Sequence, residues 1–146
     1  MERRNAIKLC FYSAVLIPTV GLSIQSCTGI YYASASRNAN RLTIPKSEFT
    51  HIKNERIIER TFVLLSLENS KFPICIYKHK NDMYSASLLK CTHKSCELNV
   101  GGGIYSCPCH GSEFDTAGLV IEGPATENLT TYKTEVDHEN IYVYLT

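Results

Sequence analysis

Four of the seven cysteines in this chain lie within nineteen residues, and two of its five histidines are interleaved with them. The first of two segments runs from Cys91 to Cys96 with the pattern C-x-H-x-x-C. The second runs from Cys107 to Ser112 with the pattern C-x-C-H-G-S. Cysteines at this density indicate a redox site, a metal site or a disulfide framework. This feature constrains the chain more than any other, because each of these sites joins segments that are separate in sequence.

The residues between the two segments have the pattern of a β-hairpin. Segments 97–100 and 104–106 are strand-like, and they flank three consecutive glycines at 101–103 that are typical of a turn. A hairpin at this position would place the two cysteine segments as neighbouring loops at one end of a sheet.

The rest of the chain from Leu42 onward also has the pattern of short strands. Strands are predicted in five apolar, β-branched or aromatic segments with polar turns between them: 61–67, 72–77, 83–89, 131–136 and 141–145. No long stretch has helical periodicity, so the sequence predicts an all-β antiparallel sandwich or barrel. The formal net charge of +1 gives no overall field that would select nucleic acid as a partner.

The two segments resemble the Rieske [2Fe–2S] family, in its disulfide-containing branch of the quinol–cytochrome c reductase type. By this resemblance Cys91 and Cys107 ligate one iron, and His93 and His110 ligate the other. The implied cofactor is one [2Fe–2S] cluster. The implied fold is an antiparallel β-sandwich with a cluster-binding subdomain of two loops. Two neutral imidazoles in place of two thiolates leave less negative charge on such a cluster, and its reduction potential rises.

The resemblance extends beyond the four ligands, over roughly 42–145. It implies a disulfide between Cys96 and Cys109, a hydrogen bond from Ser112 to a cluster sulfur, and a loop at Pro124 that covers the cluster. A disulfide suits an oxidising compartment. Zinc held by two cysteines and two histidines is the alternative, but it leaves the additional cysteine of each loop unexplained.

Three residues depart from the family pattern. Lys94 and Ser95 stand where a leucine and a glycine are usual, and the lysine would present a charge to a docking partner. Phe114 stands where many members have a tyrosine whose hydroxyl bonds a ligand sulfur. Loss of that hydrogen bond is expected to lower the reduction potential.

Residues 1–27 have the pattern of an export signal or membrane anchor. Basic residues precede an almost uncharged stretch at 10–24, which is shorter than the roughly twenty residues of a membrane span. Three interpretations stay open: a lipoprotein signal with lipidation at Cys27, an uncleaved anchor, or cleavage and release. Arg3-Arg4 is compatible with twin-arginine export or with an ordinary basic start.

The segment 28–41 is small and polar, which predicts a flexible linker and a folded domain at 42–146. The export pattern places that domain in the bacterial cell envelope. It would lie on the periplasmic side of the cytoplasmic membrane, anchored by lipid or by an N-terminal helix.

The function implied by the resemblance is one-electron transfer in a quinol–cytochrome c reductase-like respiratory complex. Its partners would be cytochrome b-type or c-type subunits, and quinol would meet the exposed histidines. The chain contains no complete active site of its own, so whether it counts as an enzyme is open. Two alternatives are a Rieske small subunit of another exported oxidoreductase, such as an arsenite oxidase, and a free lipid-anchored electron carrier.

Overall fold

The computed structural model of the protein describes residues 29–145. Within this range the backbone forms two short 3-10 helices, Lys46–Phe49 and Lys80–Asp82. The remaining regular elements are strands: β1 (Ser36–Asn38), β2 (Arg41–Pro45), β3 (Thr50–Lys53), β4 (Arg56–Glu59), β5 (Phe62–Leu65), β6 (Ile74–Lys78), β7 (Tyr84–Leu88), β8 (Asn99–Gly101), β9 (Ile104–Ser106), β10 (Glu113–Asp115), β11 (Val120–Glu122), β12 (Thr131–Val136) and β13 (Asn140–Tyr144). The predicted all-β class is therefore confirmed.

The strands form two main antiparallel sheets and one separate hairpin. The larger sheet has seven strands in the order β1-β2-β13-β12-β7-β6-β5. The smaller sheet has four strands in the order β11-β10-β9-β8, and it carries the cysteine-rich loops. The pair β3–β4 is a two-stranded hairpin on its own.

Two clusters of buried side chains stabilise this arrangement. The first lies on the larger sheet and includes Ile44, Phe49 and Ile141, all at most 1% exposed. The second includes Tyr105 and Phe114 of the smaller sheet, and it also contains Leu64 and Cys75 of the larger sheet. Because the second core joins the two sheets, the loops of the smaller sheet are held on a packed base rather than on a mobile arm.

The strands that alternate between apolar and polar residues were predicted close to their observed bounds. The β12–β13 hairpin lies where the sequence predicts it, and its two strands pair from Lys133–Tyr144 to Val136–Ile141. The hairpin around the three glycines is also present, as β8 and β9. The strands β1 to β4 were not predicted. Strand β2 does alternate, with Leu42 and Ile44 buried between more exposed neighbours, but each of these strands has only three to five residues and so gives a short signal.

The segment predicted to be a flexible linker, 28–41, differs from that expectation. Strand β1 pairs with β2, and the backbones of Tyr31 and Ala33 exchange hydrogen bonds of 2.8 and 2.9 Å with Leu64 at the open edge of β5. The Tyr31 hydroxyl donates to Glu48 at 2.6 Å, and the Arg60 guanidinium lies 3.8 Å from the Tyr31 ring centroid. Backbone pairing needs no particular side chains, so a polar composition did not exclude it.

The export signal at 1–27, including the candidate lipidation site Cys27, lies outside the described residues. Within 29–145 no helix has the length and apolar character needed to span a membrane.

Candidate cluster-binding site

The two cysteine-rich loops have the same backbone hydrogen-bond pattern. In the first loop the Cys91 N–H donates to Cys96 O, and the Ser95 N–H donates to Cys91 O, both at 2.8 Å. In the second loop the Cys107 N–H donates to Ser112 O at 2.8 Å, and the Gly111 N–H donates to Cys107 O at 3.0 Å. Each loop is thus a tight turn that begins at a cysteine.

The cysteine that begins each loop is buried and carries a free thiol. Cys91 is 1% exposed and Cys107 is 3% exposed. Burial raises the pKa of the Cys107 thiol, but hydrogen bonds from the Cys91 thiol and from the backbone N–H groups of Cys109 and His110 outweigh it and lower the net pKa. The site therefore favours negative charge on sulfur, which is the state in which cysteine binds metal.

His93 and His110 lie next to each other, His110 exposed and His93 half-buried. Their ring centroids are 4.8 Å apart and the rings are nearly perpendicular, at 89°. The Nδ1 atom of His93 is buried, and among the described residues it has no hydrogen-bond partner. A buried polar atom without a partner is costly, and a metal bound at Nδ1 would satisfy it.

A disulfide joins the two loops as predicted, between Cys96 and Cys109, with a Cα–Cα distance of 6.5 Å. The sulfur atoms of Cys96, Cys107 and Cys109 all lie within 4.8 Å of one another. These three do not make a metal site, because Cys96 and Cys109 are already bonded to each other and only the Cys107 thiol stays available. The disulfide instead packs against that thiol.

Two free thiols and two imidazoles remain on the loops as a donor set. The other free cysteine among the described residues, Cys75, is completely buried in β6, and burial raises its pKa to about 12. It stays a neutral thiol in the second core, as a small apolar residue would.

The loop that contains Pro124 is fastened to both cysteine loops. The Ala125 N–H donates to the fully buried Ser112 Oγ at 3.0 Å. The Thr92 hydroxyl donates to Glu127 O at 2.7 Å. Because Ser112 Oγ accepts this bond, its own hydrogen stays available for donation.

Thr92 was missed by the sequence analysis, which gave it no role between Cys91 and His93. Its partner Glu127 lies 35 residues away in sequence. The acceptor is a backbone carbonyl, which every residue type has, so the sequence at position 127 does not indicate the hydrogen bond. Its position between two predicted ligands was the only available signal.

The residues that depart from the family pattern also have defined places. Lys94 and Ser95 are exposed at the tip of the first loop, and Ser95 has a φ of 57°. Phe114 is fully buried on β10, where it pairs with Tyr105 of β9. A left-handed φ explains why a glycine would be favoured at position 95.

An antiparallel β fold with two disulfide-linked cysteine–histidine loops defines a class of iron–sulfur protein, and comparisons with known proteins identify the family. The family model described as the Rieske [2Fe-2S] domain matches residues 49–133. The crystal structure of a plasma membrane Rieske protein from Synechocystis PCC 6803 is 35% identical, with a TM-score of 0.51 and coverage of 57% of this chain and 85% of that chain.

Curated relatives include iron–sulfur subunits of the cytochrome b6-f complex. The subunit of Synechococcus sp. (strain RCC307) is 40% identical over 55 residues, which is 36% of this chain and 31% of the relative. The subunit of Prochlorococcus marinus (strain MIT 9211) is also 40% identical over 55 residues, with the same coverage. The match therefore spans less than a third of these relatives.

The chain belongs to the Rieske [2Fe-2S] domain family. It binds one [2Fe–2S] cluster. The Cys96–Cys109 disulfide agrees with the predicted disulfide-containing branch.

Proposed function

We propose that Cys91, His93, Cys107 and His110 hold the cluster. The observation that carries this proposal is the donor set itself: two buried free thiols, and two adjacent imidazoles of which His110 is exposed and His93 is half-buried with its Nδ1 unpaired. Thiolates at the protein interior and imidazoles at the surface give the two irons different environments, as mixed ligation requires.

We further propose that the protein is the iron–sulfur subunit of a quinol–cytochrome c reductase-like complex. When bound, the cluster supplies reversible one-electron transfer at a potential above that of all-cysteine clusters. The residues of this chain supply the docking surface. His110 is exposed, and so are Lys94 on the first loop and Pro108 on the second. A quinol bound on a cytochrome b-type partner would meet the protein at this imidazole edge.

The names of the relatives support a membrane complex of this kind, since they are iron–sulfur subunits of a cytochrome complex. The assignment to the periplasmic side of a bacterial membrane rests on the sequence of residues 1–27. In this proposal those residues act as the signal or anchor, with Cys27 as the lipid-bearing residue in the lipoprotein interpretation.

A second candidate is the Rieske small subunit of another exported oxidoreductase. Lys94 favours it, because an exposed charge at the loop tip is compatible with an acidic docking surface and costs free energy against an apolar one. The third candidate, a lipid-anchored carrier without a complex, uses the same exposed imidazole edge.

Purification of the full chain from its native membranes in mild detergent tests the complex. Haem spectra and metal analysis of the purified material distinguish the three candidates. Haem b in stoichiometric amount is the result expected for the proposed complex. Molybdenum without haem b would contradict it in favour of the second candidate, and a protein that carries only iron would favour the free carrier.

A further inference from the structure

The β3–β4 hairpin places two large apolar side chains in solvent. Ile52 and Ile57 are direct cross-strand partners, and they are 77% and 73% exposed. Their neighbouring pair on the same face is Thr50 and Glu59, which are both exposed and polar. The high exposure of the two isoleucines shows that no described residue covers them. Neighbouring exposed apolar side chains surrounded by polar residues indicate an interaction site more often than isolated exposed apolar residues do.

The tip of the same hairpin carries two cations opposite each other. Lys53 pairs directly with Arg56 across the strands, on the opposite face from the isoleucine pair because successive strand residues alternate, and both side chains are exposed. Among the described residues the ion pairs are Lys46–Asp82, Lys78–Glu59 and Lys133–Glu135, and none involves the tip. Like charges directly opposite each other destabilise a hairpin, and with the one carboxylate of the turn, Glu55, the tip still has a net positive charge, so it favours an anionic partner.

The hairpin is held rigidly enough to present these residues. The two turn residues, Asn54 and Glu55, both have positive φ, at 50° and 61°, which is the geometry of a tight two-residue turn. At its base the Arg60 side chain donates to Glu48 O at 3.2 Å and to Thr50 O at 3.0 Å.

The hairpin also lies where the chain leaves the described structure toward its N-terminus. Gly29 and Ile30 line a cavity of about 420 Å³ together with His51, Lys53 and Ile58 of the hairpin. Ile30 is itself 68% exposed. The apolar stretch at 10–24 ends only a few residues before this point.

We propose that the β3–β4 hairpin rests on the anionic lipid surface of the membrane, with Ile52 and Ile57 in the interfacial region and Lys53 and Arg56 against phosphate groups. The inference rests on the proposed membrane anchoring by residues 1–27. Long cationic side chains at the hairpin tip can extend to phosphate groups while the apolar pair on the other face enters the interface, and apolar residues combined with cations are typical of segments that lie in the membrane interface. Because the anchor enters next to the hairpin, this contact would set the orientation of the domain above the membrane.

Tryptophan fluorescence tests the contact, since the chain contains no tryptophan. The full-length, cluster-loaded I52W variant is reconstituted into phosphatidylcholine vesicles with about 30 mol% phosphatidylglycerol, which supplies the anionic surface. The acyl chains carry bromine in half of the samples. A matched control is L119W, because Leu119 is also an exposed apolar residue, at 51%, but lies beside the sheet that carries the cluster loops.

We expect brominated lipid to reduce the emission of I52W to about half, because an interfacial side chain reaches the acyl boundary. The emission of L119W should not change. Adding K53Q and R56Q to I52W should lower the ratio of docked to undocked hairpin about fivefold for each lost charge, and salt should act in the same direction.

Vesicle flotation separates failure of the anchor from failure of the hairpin contact. Protein that does not float with the vesicles overturns the anchoring and this inference together. Protein that floats while I52W stays unquenched overturns the hairpin contact and leaves the anchoring intact. A blue-shifted emission without quenching by brominated lipid would also overturn it, because the isoleucine face would then be covered by protein.

Discussion

Ser95 and Gly111 occupy equivalent positions in the two cluster loops, and both have positive φ, at 57° and 80°. Each donates its N–H to the carbonyl of the cysteine that begins its loop. A left-handed conformation costs a residue with a side chain roughly 1–2 kcal/mol, and glycine avoids this cost. The first loop therefore carries backbone strain that the second loop lacks.

We predict that S95G stabilises the protein by up to about 1 kcal/mol, since the relieved strain exceeds the greater flexibility of glycine in the unfolded chain. The reciprocal variant G111S should destabilise it by about 1 kcal/mol. A Cβ at Gly111 would meet no atom within 4 Å, so the cost at that position is conformational rather than steric. Thermal unfolding followed by circular dichroism checks both variants, and a lower melting temperature for S95G would contradict the account.

Ser112 and Ser87 are both completely buried, but their hydroxyls differ in their partners. Ser112 Oγ accepts from the Ala125 N–H, whereas Ser87 Oγ has no hydrogen-bond partner among the described residues. We predict that S112A costs about 1–3 kcal/mol because it leaves a buried N–H unpaired, while S87A is close to neutral. Urea unfolding of the two variants gives this comparison directly.

S112A should also lower the reduction potential of the loaded protein, because a hydrogen bond from the hydroxyl to a cluster sulfur stabilises the reduced form. S87A serves as the control, since the account gives its hydroxyl no role at the site. Redox titration followed by electron paramagnetic resonance measures both. Equal potentials in S112A and the wild type would contradict the donor role assigned to Ser112.

At the scale of elements, the disulfide is the covalent link between the two loops. It joins residues 13 apart in sequence. In the chain-entropy model, a disulfide that closes a loop of this size adds about 3 kcal/mol to the free energy of unfolding. We predict that the double variant C96A/C109A loses about this much stability in denaturant unfolding. Dithiothreitol should lower the midpoint of the wild type toward that of the variant and leave the variant itself unchanged; a matching shift in the variant would contradict the assignment.

The turn between β12 and β13 is organised by Asp137. Its carboxylate accepts from the Tyr142 hydroxyl at 2.6 Å and from the backbone N–H groups of Glu139 and Asn140 at 2.9 and 2.7 Å. The Tyr142 hydrogen bond and then the two backbone N–H groups lower the pKa of Asp137 from 3.8 to about 2. A folded-state pKa below the unfolded value stabilises the protein above pH 4, and this contribution is lost as the pH falls through about 2.

We therefore predict that D137N melts at a lower temperature than the wild type at neutral pH. The difference should shrink as the pH falls from about 4 toward 2, because the wild-type carboxylate becomes protonated. Y142F removes the first of these hydrogen bonds and should show a smaller loss with the same pH dependence. A difference that grows toward low pH would contradict the account.

The elements that could be predicted from the sequence are those whose signal is local. The β12–β13 strands alternate between apolar and polar residues, and the cysteine and histidine positions of the two loops stand close together in the sequence, although their assignment as ligands came from the family resemblance. The disulfide partners followed from the family resemblance. What could not be predicted depends on contacts distant in sequence, such as the Thr92–Glu127 hydrogen bond and the pairing of Tyr31 and Ala33 with Leu64.

At the scale of the whole molecule, one core couples the site to the larger sheet. Leu64 and Cys75 of that sheet pack in the same cluster as Cys91 and Cys107. The two thiols are therefore supported by packed core residues, while the His110 imidazole is exposed to solvent. Phe114 belongs to this core as well and is completely buried. Its burial could not be inferred from the fact that a phenylalanine stands where many family members have a tyrosine.

The function proposed for this protein depends on one cluster bound by two cysteines and two histidines, at Cys91, His93, Cys107 and His110. Pulsed electron paramagnetic resonance of the dithionite-reduced protein, produced with ¹⁵N-labelled histidine, tests it most directly. The account predicts a rhombic signal with a low average g value and couplings to two histidine nitrogens, one of which disappears in H93C or H110C. A signal without nitrogen coupling, or a colourless protein that holds zinc after assembly with iron and sulfide, would contradict it.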